Sequence, residues 1–288
     1  MFSVGDIYTR IKSFKAKVGV EQRPFYFAKL DVQAAFDSIP QPAMVKLMQK
    51  VMSQSQYQMA KHVEVQPGDH AQSAESRARP LRKWQTLAKT TKDQSTFAEM
   101  VEAQHALSKK STVFIESVVR KSYDTRALTS LMETHVQENL VKIGKKFYRQ
   151  RNGIPQGSIL SSILCNYFYA DLESTQLGFL LADEDCLLLR LIDDFLLVTT
   201  SRDKACHFVE IMYRGLPEYG VTVSKNKSLV NFDLTVGNDL VPRTGRGQGF
   251  PYCGLLIDCK SLDVIKNREK TTDPGMSKDG TRRLGITH

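Results

Sequence analysis

No C-x-x-C pair occurs in the sequence. The five cysteines, Cys165, Cys186, Cys206, Cys253 and Cys259, are odd in number and scattered, which argues against a disulfide framework or a cysteine-based zinc site and predicts reduced thiols. Long apolar runs are missing too. The longest uncharged stretch, residues 152–170, is broken by Asn152, Pro155, Gln156, Gly157 and three serines, so a membrane is not an expected partner. The first residues carry Asp6 and the basic Arg10, Lys12, Lys15 and Lys17 without an apolar segment, which argues against a secretory signal. No internal repeat is present.

What is there is a globular composition, 41% hydrophobic and 25% charged over 288 residues, with room for one or two domains and a large core. Forty basic against thirty-one acidic side chains leave a net charge of +9, which favours a polyanionic partner such as nucleic acid. The sharpest local feature is KIGKKFYRQR at 142–151, where Lys142, Lys145, Lys146, Arg149 and Arg151 flank Phe147 and Tyr148. Such a segment can pair with phosphates and stack on bases. A solvated hairpin turning at Ile143-Gly144-Lys145 is the plainer alternative.

Apolar residues 25–30 read as a buried strand with Asp31 at its carboxyl end, and Pro42 opens a helix carrying Met44, Leu47, Met48 and Val51 on one face. From Ser53 to Leu81 the chain is polar and reads as loop, with an edge strand at His62–Val65. Helical spacing returns over 123–140 and again after GIPQGS, where residues 159–173 predict a mostly buried helix. LLLRLIDDFLLVTT at 187–200 predicts a hairpin turning at Asp193-Asp194. Ser201 caps a helix that Gly215 stops. Short strands at 221–223 and 229–232, and a hairpin at 250–258, complete an α/β fold with helices packed on an antiparallel sheet. Residues 271–288 are polar and aperiodic and read as a disordered tail.

Three carboxylates carry the chemistry. Asp31, Asp193 and Asp194 end apolar strands, where acids are costly without a compensating cation. Hard oxygen ligands suit Mg²⁺, and a pair of such ions about 3.5–4 Å apart can activate a hydroxyl and stabilise a leaving pyrophosphate. An exposed turn is the alternative for the Asp pair. GIPQGS lets backbone approach a ligand ahead of a helix N-terminus, with Gln156 placed to touch a base or sugar; alternatively it is only a loop entering a helix. Lys227 could serve as a general acid for pyrophosphate, or be a plain surface lysine.

Taken together, these strings resemble the telomerase reverse transcriptases over about Phe25 to Asp258. YFAKLDVQAAFDSIPQ looks like motif A, GIPQGSILSSILC motif B′, LLRLIDDFLLVT motif C, GLPEYGVTVSKNKSLVNF motif D and FPYCGLLID the primer grip. The resemblance implies a reverse-transcriptase-like palm with a mainly helical insertion in the fingers. Residues 1–52 would be the N-terminal part of the palm, 53–141 the insertion, 142–258 the rest of the palm, and 259–288 a disordered or aberrant tail. It also implies a metal triad of Asp31, Asp193 and Asp194 holding two Mg²⁺ ions. Nucleotide contacts would fall on Phe36, Gln156 and Gly157, the motif D lysine on Lys227, and the primer grip on Tyr252, Cys253 and Gly254; Lys145, Lys146 and Arg149 would touch nucleic acid. The implied function is RNA-templated DNA synthesis, with a telomerase template RNA, a telomeric DNA 3′ end and deoxynucleoside triphosphates as partners, in the nucleus at telomeres. DNA-anchoring, RNA-binding and thumb motifs do not appear, so the resemblance implies a partial form, inactive alone. A retroelement or intron-encoded reverse transcriptase and a non-catalytic nucleic-acid-binding remnant are the alternatives.

Overall fold

The computed structural model describes residues 4–19, 23–68, 79–90, 93, 95–103, 109, 111–245 and 247–267. In chain order the elements begin with α1 (Val4–Val18), β1 (Tyr26–Asp31), α2 (Ala35–Ser38) and α3 (Gln41–Val51). There follow β2 (Gln56–Gln66), β3 (Leu81–Thr90), α4 (Phe97–Ala103), β4 (Val113–Asp124), α5 (Thr125–Gln137), β5 (Leu140–Ile143) and β6 (Lys146–Arg149). Then come α6 (Ile159–Gln176), α7 (Gly178–Leu181), β7 (Cys186–Leu191), β8 (Asp194–Thr199) and α8 (Arg202–Arg214). The last are β9 (Leu229–Val230), β10 (Thr235–Val236), β11 (Asp239–Leu240), β12 (Phe250–Tyr252), β13 (Leu255–Ile257) and β14 (Val264–Lys266). They form two compact units, one of residues 1–44 and 150–288 and one of residues 45–149.

The first unit is built on a four-stranded antiparallel sheet in the order β7-β8-β1-β9. Its strands are apolar on both faces because both are covered. On one face Phe27, Leu196 and Val198 pack with Ile7, Ile11 and Phe14 of α1 and with Phe250, Tyr252 and Leu255 of the β12–β13 hairpin. Toward the other, α8 packs on β1 and β8, and Tyr169 of α6 meets Phe195 edge-on. Fully buried aromatics such as Phe27, Phe195 and Phe208 each contribute about 1.5–3 kcal/mol through burial. Helix α1 was not foreseen, although Ile7, Ile11 and Phe14 repeat at helical spacing and are buried.

The second unit departs from the expectation of a mainly helical insertion. Its framework is a three-stranded antiparallel sheet in the order β3-β2-β4, accompanied by α4 and α5 and by the two-stranded β5–β6 hairpin. Within the stretch from Ser53 to Leu81 read as loop with an edge strand, Gln56–Gln66 form the central strand, β2, paired on both sides, while residues 69–78 lie outside the described residues. Polar residues hid it: His62 and Glu64 occupy buried positions, and Glu64 is matched by Lys109 and by Gln85, so the apolar alternation that marks a strand is missing.

Three smaller corrections follow from local packing. Helix α6 is not mostly buried; Ile159, Ile163 and Tyr167 lie exposed along one side while Leu164, Phe168 and Leu172 face the core. The DD hairpin turns at Ile192-Asp193, with Asp194 the first residue of β8. Residues 259–267, assigned to a tail, are ordered, and β14 pairs with β13. The expectation of disorder for 271–288 lies outside the described residues.

Candidate active site

The strand register brings the carboxylates together. Asp31 closes β1 directly opposite Asp194, which opens β8. Asp193 sits beside them in the turn, its carbonyl accepting from the Val32 amide at 3.2 Å. Ile192, just before, takes a left-handed φ of 59°, a strained setting for a β-branched residue of the kind found where geometry serves a site. Burial, with Asp194 and Asp31 as like-charged neighbours, pushes the Asp193 carboxyl above its ordinary range despite Lys227 nearby.

Two cationic side chains face these acids, and a third braces the turn behind them. Lys227 follows a bridge between Val32 and Val223 and a bond from the Ser224 amide to the Asp31 carbonyl at 2.8 Å; its Nζ donates to Asp31 Oδ1 at 3.3 Å and faces Oδ2 at 3.5 Å. Lys29 Nζ is 3.8 Å from Asp194 Oδ1. Buried Arg190 acts one layer behind. It pairs with Glu173, donates to Asn166 Oδ1 at 3.0 Å and to the Ile192 carbonyl at 3.2 Å, and so ties the strained turn to α6. Neither Lys29 nor Arg190 was singled out from sequence; the signal was a lone cation within an apolar strand beside the acids.

Among the described residues no three His, Cys, Asp or Glu side chains stand in a metal-holding arrangement. The donor set nevertheless fits a hard divalent ion: three carboxylates on adjoining strand ends, two of them already faced by ammonium groups. Asp31, Asp193 and Asp194 are the residues that could hold it.

Around this centre the β12–β13 turn presents Tyr252, whose hydroxyl donates to the Asp194 carbonyl at 2.9 Å, and Cys253, whose Sγ contacts Asp194 Oδ2 at 4.0 Å. Cys253 and Gly254 both have positive φ, 45° and 78°, the geometry of a tight hairpin turn. Burial pushes the Cys253 thiol up to about 11, with Asp194 adding to the shift, so it stays protonated and able to donate at neutral pH.

The loop that carries Gln156 and Gly157 approaches the segment that carries Phe36 through the neighbours of these residues, and Gly157 itself has nothing packed against it. The Ile154 amide donates to the Phe36 carbonyl at 2.7 Å, and Gly153 donates to Ile39. A Cβ on Gly153 would lie 2.3 Å from the Phe36 carbonyl oxygen, so only glycine permits this approach. Gln156 Nε2 donates to Asp37 Oδ2 at 2.9 Å, a partner not anticipated. Lys145, Lys146 and Arg149 belong to the other unit, exposed with the rest of the β5–β6 strands, and Lys142 lies 5.8 Å from the Phe147 ring centre.

A family profile described as reverse transcriptase (RNA-dependent DNA polymerase) matches residues 44–236, taking in Gln156, Asp193, Asp194 and Lys227 but beginning after Asp31. The telomerase reverse transcriptase of Mus musculus is 32% identical over 272 residues, covering 92% of this chain and 24% of that protein. That of Bos taurus is 34% identical over 247 residues, covering 84% and 21%. This chain thus spans under a quarter of the length of these relatives. In fold it is similar to apo telomerase from Candida tropicalis, with a TM-score of 0.62 at 21% identity over 95% of this chain and 38% of that one, and to telomerase from Candida albicans in complex with a TWJ fragment of telomeric RNA, with a TM-score of 0.61 at 19% identity over 93% and 35%.

Proposed function

This chain belongs to the reverse transcriptase family, whose members use divalent metal ions, and from that premise we propose that it supplies the palm of a telomerase-type polymerase that adds deoxynucleotides to a chromosome-end DNA 3′ end, copying a bound RNA. The observation that carries the reading is the register of Asp31 against Asp194 with Asp193 alongside: acids from two distant segments of the chain meet at the end of a largely apolar sheet. Resemblance to telomerase reverse transcriptases over most of the chain favours the telomerase type over a retroelement enzyme, and a nuclear location at telomeres goes with it.

In this reading Asp31, Asp193 and Asp194 hold two Mg²⁺ ions, which when bound supply the charge that activates the primer 3′-hydroxyl and steadies the departing pyrophosphate. Lys227, free to turn toward solvent, offers its proton to that leaving group. Phe36 lies under the incoming sugar and disfavours a 2′-hydroxyl. Gln156 and Gly157 touch the nucleotide, and the Tyr252-Cys253-Gly254 turn supports the primer end. Lys145, Lys146 and Arg149 bind nucleic-acid phosphate.

Templated primer extension tests this. In a reconstituted full-length polymerase that contains this segment, given template RNA, a telomeric-repeat DNA primer, deoxynucleotides and Mg²⁺, Asp193→Ala is expected to lower incorporation about a hundredfold or more while RNA retention stays within about twofold. Incorporation by Asp193→Ala near the parental level overturns the assignment.

A further inference from the structure

Lys29 stands two positions before Asp31 on β1, so strand alternation sets both on one sheet face with Phe27. Its register partners are Leu196 and Leu229, and Leu196 belongs to the buried cluster beneath the Tyr252 hairpin. The Lys29 side chain is 19% exposed, against 68% for Lys227. That difference separates two cations otherwise alike. Lys227 sits on a short turn and can leave Asp31 for water at little cost. Lys29 is rooted in the middle of the sheet, and its Nζ has the Asp194 carboxylate 3.8 Å away as counter-charge; with apolar neighbours in register, withdrawing from that carboxylate would leave a poorly solvated charge. Cys253 faces the other oxygen of the same carboxylate. Asp194 is therefore held by protein groups on both oxygens.

We propose that Lys29 is a positioning residue that acts as a resident counter-charge: it fixes the Asp194 carboxylate and offsets part of the triad's negative charge, so that the nucleotide-free site takes a divalent cation weakly and binds it firmly only when a triphosphate adds its own negative charge. The proposal rests on the reading of the three carboxylates as metal ligands. Its physical basis is Coulombic. Three acids gathered at the end of the sheet attract a lone divalent ion, and one fixed ammonium beside them opposes that attraction at a distance too short for salt to screen.

The test is Mn²⁺ binding to the full chain without nucleotide, read from loss of the free-ion electron paramagnetic resonance signal. Lys29→Met and Lys29→Gln retain the stem and remove the charge; each is expected to tighten Mn²⁺ binding by about fivefold or more. Lys29→Arg, which keeps the charge, should remain within about twofold of the parent. Two neutral variants guard against one failing to fold, and circular dichroism reports folding for each. Unchanged or weaker Mn²⁺ binding in the folded neutral variants overturns the proposal while leaving the carboxylate reading intact. Parental binding in Asp193→Asn, or no binding in parent and Lys29→Met alike, instead removes the carboxylate reading and this proposal with it.

Discussion

The sheet that carries Asp31 and Asp194 and the sheet of residues 45–149 are both antiparallel, but they distribute apolar side chains in opposite ways. In the first, both faces are covered, and residues such as Phe27, Phe195, Leu196 and Leu197 are fully buried. In the second, buried His62 and Glu64 share one face of β2 while the other carries a row in which Val63 lies between Trp84 and Ile115. The flanks of that row are open, Trp84 65% exposed and Ile115 51%, although Val63 between them is buried. A sheet clamped on both faces cannot slide or twist without repacking, and this is what holds carboxylates from distant segments in register. A sheet open on one face tolerates change there and is poorly suited to such placement.

The largest expected effect that would break this contrast is at Phe27. Phe27→Ala should cost about 3–5 kcal/mol of stability, measured by denaturant unfolding, and a cost below about 1 kcal/mol would mean that the covered sheet is not tightly packed. A middle-sized effect comes from alkali. All five cysteines lie in the first unit, and burial pushes Cys165 up to about 12 and Cys253 and Cys259 up to about 11 from an ordinary value near 9. Folded thiols keep their protons where unfolded ones lose them. Their contribution is therefore fully present below pH 9 and falls as pH rises through 11 to 12. Pulse alkylation of the cysteines should show the first unit opening at lower temperature as pH passes 9, while fluorescence of Trp84, the single tryptophan, changes less; equal shifts in both reporters would contradict the assignment. The smallest effect is on the open face, where Trp84→Thr is expected to change stability by no more than about 0.5 kcal/mol.

Legibility in the sequence followed the same divide. A strand buried on both faces reads as a continuous apolar run, so β1, β7 and β8 stood out, and acids ending such runs marked the site. The basic hairpin announced itself by charge and by Gly144, which takes φ +62° in its turn. β2 and β3 did not stand out, because Lys61, Glu64, Lys83 and Lys89 interrupt their alternation and the cross-strand partners that accommodate such residues are distant in sequence. The roles of Lys29, Arg190 and Asp37 were hidden for a related reason. Alternation places Lys29 on the face of Asp31, yet only the pairing of β1 with β8 reveals that Asp194 is its partner.

One feature of that pairing bears on synthesis. β1 lies between β8 and β9, and both are made long after it. At roughly 5–20 residues per second, a ribosome leaves β1 without either neighbour for on the order of ten seconds or longer. An apolar strand with two unpaired edges is in that interval a template for other nascent chains. Within YFAKLD the charges are Lys29 and Asp31, side chains that oppose such pairing while the chain is incomplete. The same two residues, which face Asp194 and Lys227 in the finished sheet, would thus first serve as its gatekeepers.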